Sequence, residues 1–159
     1  MAEDAAPEEP GSAATRVDFY LLSTATAADT VAVLAGKVRQ AEERLLVVAD
    51  DLALLEACSK ALWSASPEAF LANGIAGDEH DARQPILLSD KVAPVNGARY
   101  LLVADGRWRE PEGRFDRVLF LFDQETIAEA RMTWKALQDR DGMTSRFWKQ
   151  QDGRWVEGP

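Results

Sequence analysis

Arg131, Trp134 and Lys135 lie in the run Arg131-Met132-Thr133-Trp134-Lys135, three and four residues apart. That spacing puts side chains on one face of a helix. Two cations beside an indole suit recognition of a carboxylate: a guanidinium gives paired hydrogen bonds, an ammonium adds a point charge, and the ring receives an apolar neighbour. The chain carries a net charge of -9 at pH 7, so this stripe does not arise from general basicity. A second cluster, Ala61-Leu62-Trp63 followed by Pro67-Glu68-Ala69-Phe70, supplies two more aromatic rings. Each feature also has a plainer explanation. Ile127, Ala130, Trp134 and Leu137 form an apolar stripe whose flanking cations are ordinarily just solvated. Trp63, at a helix end, fits either a half-buried core residue or a binding wall. Phe70 and Leu71 fit either core or an apolar patch for a protein partner.

Other chemistry finds little support. Neither G-x-G-x-x-G nor G-x-x-x-x-G-K-[ST] occurs, and the first turn, Ser23-Thr24-Ala25-Thr26, has no glycine to let the backbone approach a phosphate. His80 is the single histidine and sits in a charged run without a G-x-S-x-G partner, which reads as a solvated loop residue. Asp78, Glu79, His80 and Asp81 lack the glycine-punctuated spacing of a calcium loop. Asp50 and Asp51 end a strand, where an enzyme of this class can place acids; a helix cap is the favoured role. Cys58 lies on an apolar helix side, as inert core thiols do.

The elements that must position these residues follow from the apolar pattern. The 159 residues suit one domain, and 47% hydrophobic content supports a packed core. Residues 1–16 hold four acids and one base with no amphipathic face, and are expected to form a disordered acidic tail, with the domain spanning 17–157. Val17 to Leu22 reads as a strand, Ala27 to Glu43 as a helix, Leu45 to Ala49 as a strand covered on both faces, and Leu52 to Trp63 as a helix. Asn73-Gly74 and residues 77–81 read as loop. Further strands are expected at Pro85 to Leu88, Tyr100 to Ala104 and Arg117 to Phe122, then a helix over Gln124 to Asp141 stopped by Gly142. Arg146 to Gln151 and Arg154 to Glu157 flank Asp152-Gly153, a favoured hairpin turn. The sum is one α/β domain with a mostly parallel central sheet flanked by helices and a C-terminal β-hairpin. A single cysteine permits no intrachain disulfide and suits a reducing cytoplasm. No apolar run is long enough to span a bilayer, and the N-terminus lacks a signal-peptide pattern, so no membrane role is expected. The acidity disfavours a DNA-coating surface.

The chain resembles the chi subunit family of bacterial DNA polymerase III. The resemblance runs from about Val17 to Glu157. It rests on Phe19-Tyr20-Leu21-Leu22, on Ala61-Leu62-Trp63 with Phe70 and Ile75-Ala76-Gly77, on Ala130-Arg131 with Trp134-Lys135, and on Phe147-Trp148-Lys149. It implies a three-layer, Rossmann-like fold without a nucleotide site, no catalysis by this chain and no cofactor. The implied role is to bridge the psi subunit, and through it the clamp-loader complex, to the acidic, phenylalanine-ended C-terminal tail of single-stranded DNA-binding protein, so that DNA is met only indirectly, in the cytoplasm. By position, the tail site would include Trp63, Phe120, Arg131, Trp134 and Lys135, and the psi-facing side Phe70 and Leu71. Ile127 stands where a family member has a lysine; Lys149 or Arg146 is expected to supply the charge instead. Two other functions compete: a small nucleotide or phosphoester enzyme using Asp50 and Asp51, and a purely structural subunit that buries the Phe70 region.

Overall fold

The computed structural model describes residues 14–65, 70–111 and 115–158. Along the chain run β1 (Thr15–Leu21), α1 (Ala27–Gln40), β2 (Leu45–Val48), α2 (Leu52–Trp63), β3 (Asn73–Ile75), β4 (Ile86–Ser89), β5 (Tyr100–Val103), β6 (Arg117–Phe122), α3 (Ile127–Gln138), β7 (Met143–Gln151) and β8 (Arg154–Glu157). They form one sheet in the order β3-β4-β2-β5-β6-β1-β7-β8. Neighbours pair in parallel from β3 to β7, and β7–β8 is an antiparallel hairpin. The fold is thus the mixed α/β, mostly parallel sheet with a C-terminal hairpin that the sequence implies.

The central strands are apolar throughout because both sheet faces are covered. Leu45, Leu46, Val47 and Val48 of β2 are all fully buried. On one face, α1 and α2 pack Val31, Leu34, Cys58 and Leu62 against Tyr20, Val47 and Leu121. On the other, α3 supplies Ala130 and Leu137, and the loops after β4 and β5 contribute Ala98, Phe115 and Trp108, over Phe19, Leu101 and Phe120. Two loops therefore do part of the covering that helices do opposite. Period-2 alternation decides which β1 residue faces which layer: Val17, Phe19 and Leu21 look toward α3, Asp18 and Tyr20 toward α1 and α2.

Asp18 is a carboxylate with no exposure, which is tolerated only when fully paired. Arg117 of β6 donates to it at 2.5 Å, Trp148 Nε1 of β7 at 3.0 Å and Arg16 at 3.0 Å. One buried acid thereby pins three adjacent strands, β6, β1 and β7, and fixes their register.

Several boundaries depart from the expectations. Residues 1–13 of the expected tail lie outside the described residues, but Thr15 and Arg16 already belong to β1: Thr15 donates from its backbone N to Gly142 and from Oγ1 to Phe115. Asn73-Gly74, expected as loop, is the edge strand β3, paired with β4; a strand of three residues carries too little apolar pattern to outweigh an Asn-Gly turn signal. The last helix starts at Ile127 rather than Gln124, because the Asp123 carboxylate accepts from the backbone N–H groups of Glu125 and Thr126 and holds that segment as a turn. β7 begins at Met143, three residues ahead of the expected start, drawn in by pairing with β1.

Candidate functional site

A cavity of about 560 Å³ opens between the first half of α3 and the strands β1 and β7. Its walls are Phe19 and Leu21 of β1, Phe122 at the end of β6, Phe147 of β7, and Ile127 and Trp134 of α3. The rings are locked by one another: Phe19 meets Trp134 edge-on at 5.0 Å and Phe122 at 6.3 Å, and Phe122 lies 6.4 Å from Phe147. Such pairs contribute about 0.5–1.5 kcal/mol each beyond simple burial, so the slot is pre-shaped. Arg131 lines the same cavity, exposed, one turn from Ile127 and three residues from Trp134.

Arg131 makes no hydrogen bond or ion pair among the described residues, in contrast to most arginines of the chain. Arg99 binds Asp116, Arg117 binds Asp18, and Arg140 binds Glu110. A guanidinium with no partner among the described residues, at the mouth of an apolar slot, has the chemistry to receive an acidic group attached to an apolar one.

The expected site residues separate into three groups. Arg131 and Trp134 meet in this cavity. Lys135 is exposed one turn further along α3 and does not line it. Phe120 is fully buried behind the slot, edge-on to Phe19 at 5.4 Å and stacked on Phe122 at 6.1 Å, so it props the floor. Trp63 ends α2, which covers the opposite sheet face, and its ring meets Phe70 at 6.2 Å. The two are 55% and 74% exposed, so they form a separate aromatic patch. Leu71, expected beside Phe70 on a partner-facing side, is core at 4% exposure and packs with Leu62. Phe70 has a φ of 44°, a strained value for a bulky side chain; its ring faces outward and its neighbour inward. Residues 66–69 of that cluster lie outside the described residues.

Sequence reasoning missed Phe19, Leu21, Phe122 and Phe147. Each reads simply as a strand's core residue. The usable signal was alternation: Phe147 and Lys149 share one face of β7, whereas Arg146 and Trp148 take the other.

A second concavity, of about 420 Å³, lies at the carboxyl ends of β1 and β6. These neighbours send their connections to opposite faces, which is where open α/β sheets bind nucleotides. Here the lining includes Asp51, Asp105, Asp123 and Glu125 and no Lys or Arg. Gly106 enters with a φ of 74° and sits so close to Thr126 that an added Cβ would stand 2.6 Å from its Oγ1. Asp51 caps α2 by accepting from the Ala53 N–H. Asp50 is held by Arg109, which reaches back from the loop after β5 to bind it at 2.7 Å and Asp105 at 2.8 Å. Burial works against charge on Asp105, yet Arg109 and the N–H groups of Asp50 and Arg107 hold its pKa below the usual value. The acids once weighed for catalysis are thus occupied by a cap and an internal guanidinium. Burial pushes the Cys58 thiol up to about 11, away from thiolate chemistry. Among the described residues no group of three His, Cys, Asp or Glu is placed to hold a metal, and no helix is long and apolar enough to cross a membrane.

Fold and cavities together define an α/β protein with an apolar slot on the sheet flank and an acid-lined crevice where related architectures cradle phosphates. A family model for the DNA polymerase III chi subunit, HolC, matches residues 14–145, and the chain belongs to that family. It is accordingly a replication accessory protein of the DNA polymerase III complex. A comparison with curated proteins yields no match.

Proposed function

We propose that the chain is a non-catalytic accessory subunit that bridges a psi partner, and through it the clamp loader, to the acidic C-terminal tail of single-stranded DNA-binding protein. It acts in the cytoplasm and reaches DNA only through that coating protein. The observation that carries this reading is the pairing of an aromatic-walled slot with an Arg131 that has no partner among the described residues, in a chain of net charge -9. A peptide ending in an aromatic residue has two features to match it. Burying its ring yields about 1.5–3 kcal/mol, and its terminal carboxylate accepts paired hydrogen bonds from a guanidinium. The exposed Trp63–Phe70 patch is assigned to psi. It belongs to the opposite layer, so both partners can be held at once.

Titration with a synthetic acidic peptide ending in Asp-Ile-Pro-Phe, against the same peptide lacking its final Phe, tests this. The expected result is micromolar-range affinity that requires the Phe, weakens with salt, and falls about tenfold or more in Arg131→Ala while the far-UV spectrum and melting temperature hold. Phe70→Ala should leave peptide binding unchanged and reduce recovery of a co-expressed psi subunit. Absence of peptide binding at low salt would overturn the tail reading and leave a structural subunit.

A further inference from the structure

The slot takes one wall from the edge of the sheet. Phe147 stands on β7, whose neighbours are β1 and the final strand β8. The crossover through α1 leads from β1 to β2, away from β7 in the strand order. The face of the hairpin turned from the slot is packed by its own tryptophans. Trp148 stacks on Tyr20 at 6.0 Å, and Trp155 meets the same ring edge-on at 5.1 Å.

Trp148 does more than pack. Its register partner on β1 is Tyr20, yet its indole Nε1 donates to Asp18, two residues back along β1, at 3.0 Å. The side chain therefore crosses beneath the Phe19–Phe147 pair, which lies between those two rungs and faces the slot. Asp18 is a firm anchor: it is fully buried, Arg16 donates to one carboxylate oxygen and Arg117 to the other. Hydrogen bonds to an ionised acceptor are the strong and directional ones. Gln150 makes a second tie, accepting from the Ser23 and Ala25 N–H groups, but it lies three residues beyond Phe147 at the strand end. On the slot side Phe147 is bounded by Phe122, 6.4 Å away between ring centres, and by Gly158, where a Cβ would stand 2.7 Å from its Cδ2. Neither of those contacts has a direction; the indole tie beneath does.

We infer that Trp148 is a positioning residue of the slot: its bond to Asp18 fixes the spacing of Phe147 from Phe19 and so sets the size of the terminal side chain that the slot accepts. The inference rests on the slot being the peptide site. Successive side chains of one strand project to opposite faces, so a tilt of β7 that moves Trp148 moves Phe147 with it. With the tie in place the two rings keep one separation. Without it the edge hairpin can rock on its ladder with β1, and a looser wall discriminates less between ligands and grips the best one less well. Trp148 lies on the face away from the slot and acts through Phe147.

Trp148→Phe tests this, because it keeps a ring on Tyr20 and deletes the N–H. The probes are the acidic peptide ending in Asp-Ile-Pro-Phe and the same peptide ending in Leu, ending in Trp, or lacking its last residue. The unaltered protein should prefer Phe to Leu by about tenfold. In Trp148→Phe the Phe peptide should bind about three- to fivefold more weakly while the Leu and Trp peptides change little, so the preference narrows to about two- to threefold. Trp155→Phe disturbs the same aromatic packing without touching Asp18 and should keep the full preference. Where Trp148→Phe melts too low to titrate, benzothienylalanine at position 148, which has the bicyclic shape and no N–H, makes the same comparison. An unchanged Phe-over-Leu preference in the variant lacking the N–H would overturn the positioning role and leave the slot reading intact. So would an equal narrowing in Trp155→Phe, which would assign the effect to packing alone. Equal binding by the unaltered protein of the intact peptide and the one lacking its Phe would overturn the slot reading and this inference together.

Discussion

Two arginines at the two concavities were put to opposite uses. Arg109 stands behind the strand-end crevice, is only 15% exposed, and is consumed by Asp50 and by Asp105, which lines that crevice. Arg131 stands at the flank slot, exposed and without a partner among the described residues. The crevice in which this architecture usually binds ligands has its positive charge neutralised from within and its walls left acidic. The slot on the sheet's flank has aromatic walls and a guanidinium that is uncommitted among the described residues. A charge already satisfied stabilises the fold; one left free is available for recognition. The two concavities of this chain are therefore opposite in charge and in polarity.

That contrast can be broken most forcefully at Trp134. Trp134→Ala removes the ring that locks Phe19 and opens one wall of the slot. It should destabilise the protein by about 2–3 kcal/mol in urea unfolding and abolish measurable peptide binding. Retained binding would mean that the ligand sits elsewhere. Arg109→Ala should cost about 2 kcal/mol of stability, because the mostly buried Asp105 loses its charged donor, and should leave peptide affinity unchanged. Weakened peptide binding in that variant would show that the two sites are coupled.

A smaller effect concerns acid. Asp105 has a folded pKa held below its ordinary 3.8. Its contribution is complete above that unfolded value and is lost as pH falls through the depressed folded value. The stability gap between the native chain and Asp105→Asn, read from urea midpoints, should therefore be constant near neutrality and shrink below about pH 4. A gap that widens in acid would contradict the sign. The smallest expected change is Gly158→Ala. The new methyl displaces the Phe147 ring and should weaken peptide binding about two- to threefold, with stability held within about 0.5 kcal/mol.

Legibility in the sequence followed local punctuation. α2 was readable to its last residue, since Asp51 caps it and Trp63 closes an unbroken apolar pattern. β6 and β8 were readable as well, the latter because Asp152-Gly153 adopts the paired positive φ values, 53° and 76°, that a two-residue hairpin turn demands. Arg131 and Trp134 were readable because their relation is helical and short-range. Their partners were not. Phe19 and Phe147 come together only through the strand order β6-β1-β7, which no local pattern encodes. Trp63 was grouped with Arg131 through the family resemblance, and nothing local in α2 tells that it covers the sheet face opposite α3.

The slot borrows Phe19 from the first strand and Phe147 from the seventh, with α3 between them in order of synthesis. A nascent chain emerging from the ribosome can dock α1 and α2 early, Trp63 among them. It has no slot until β7 has slid in beside β1. A product cut short after β6 would still carry the Trp63–Phe70 patch and would lack the slot. The slot itself therefore exists only in a chain whose translation has run through β7.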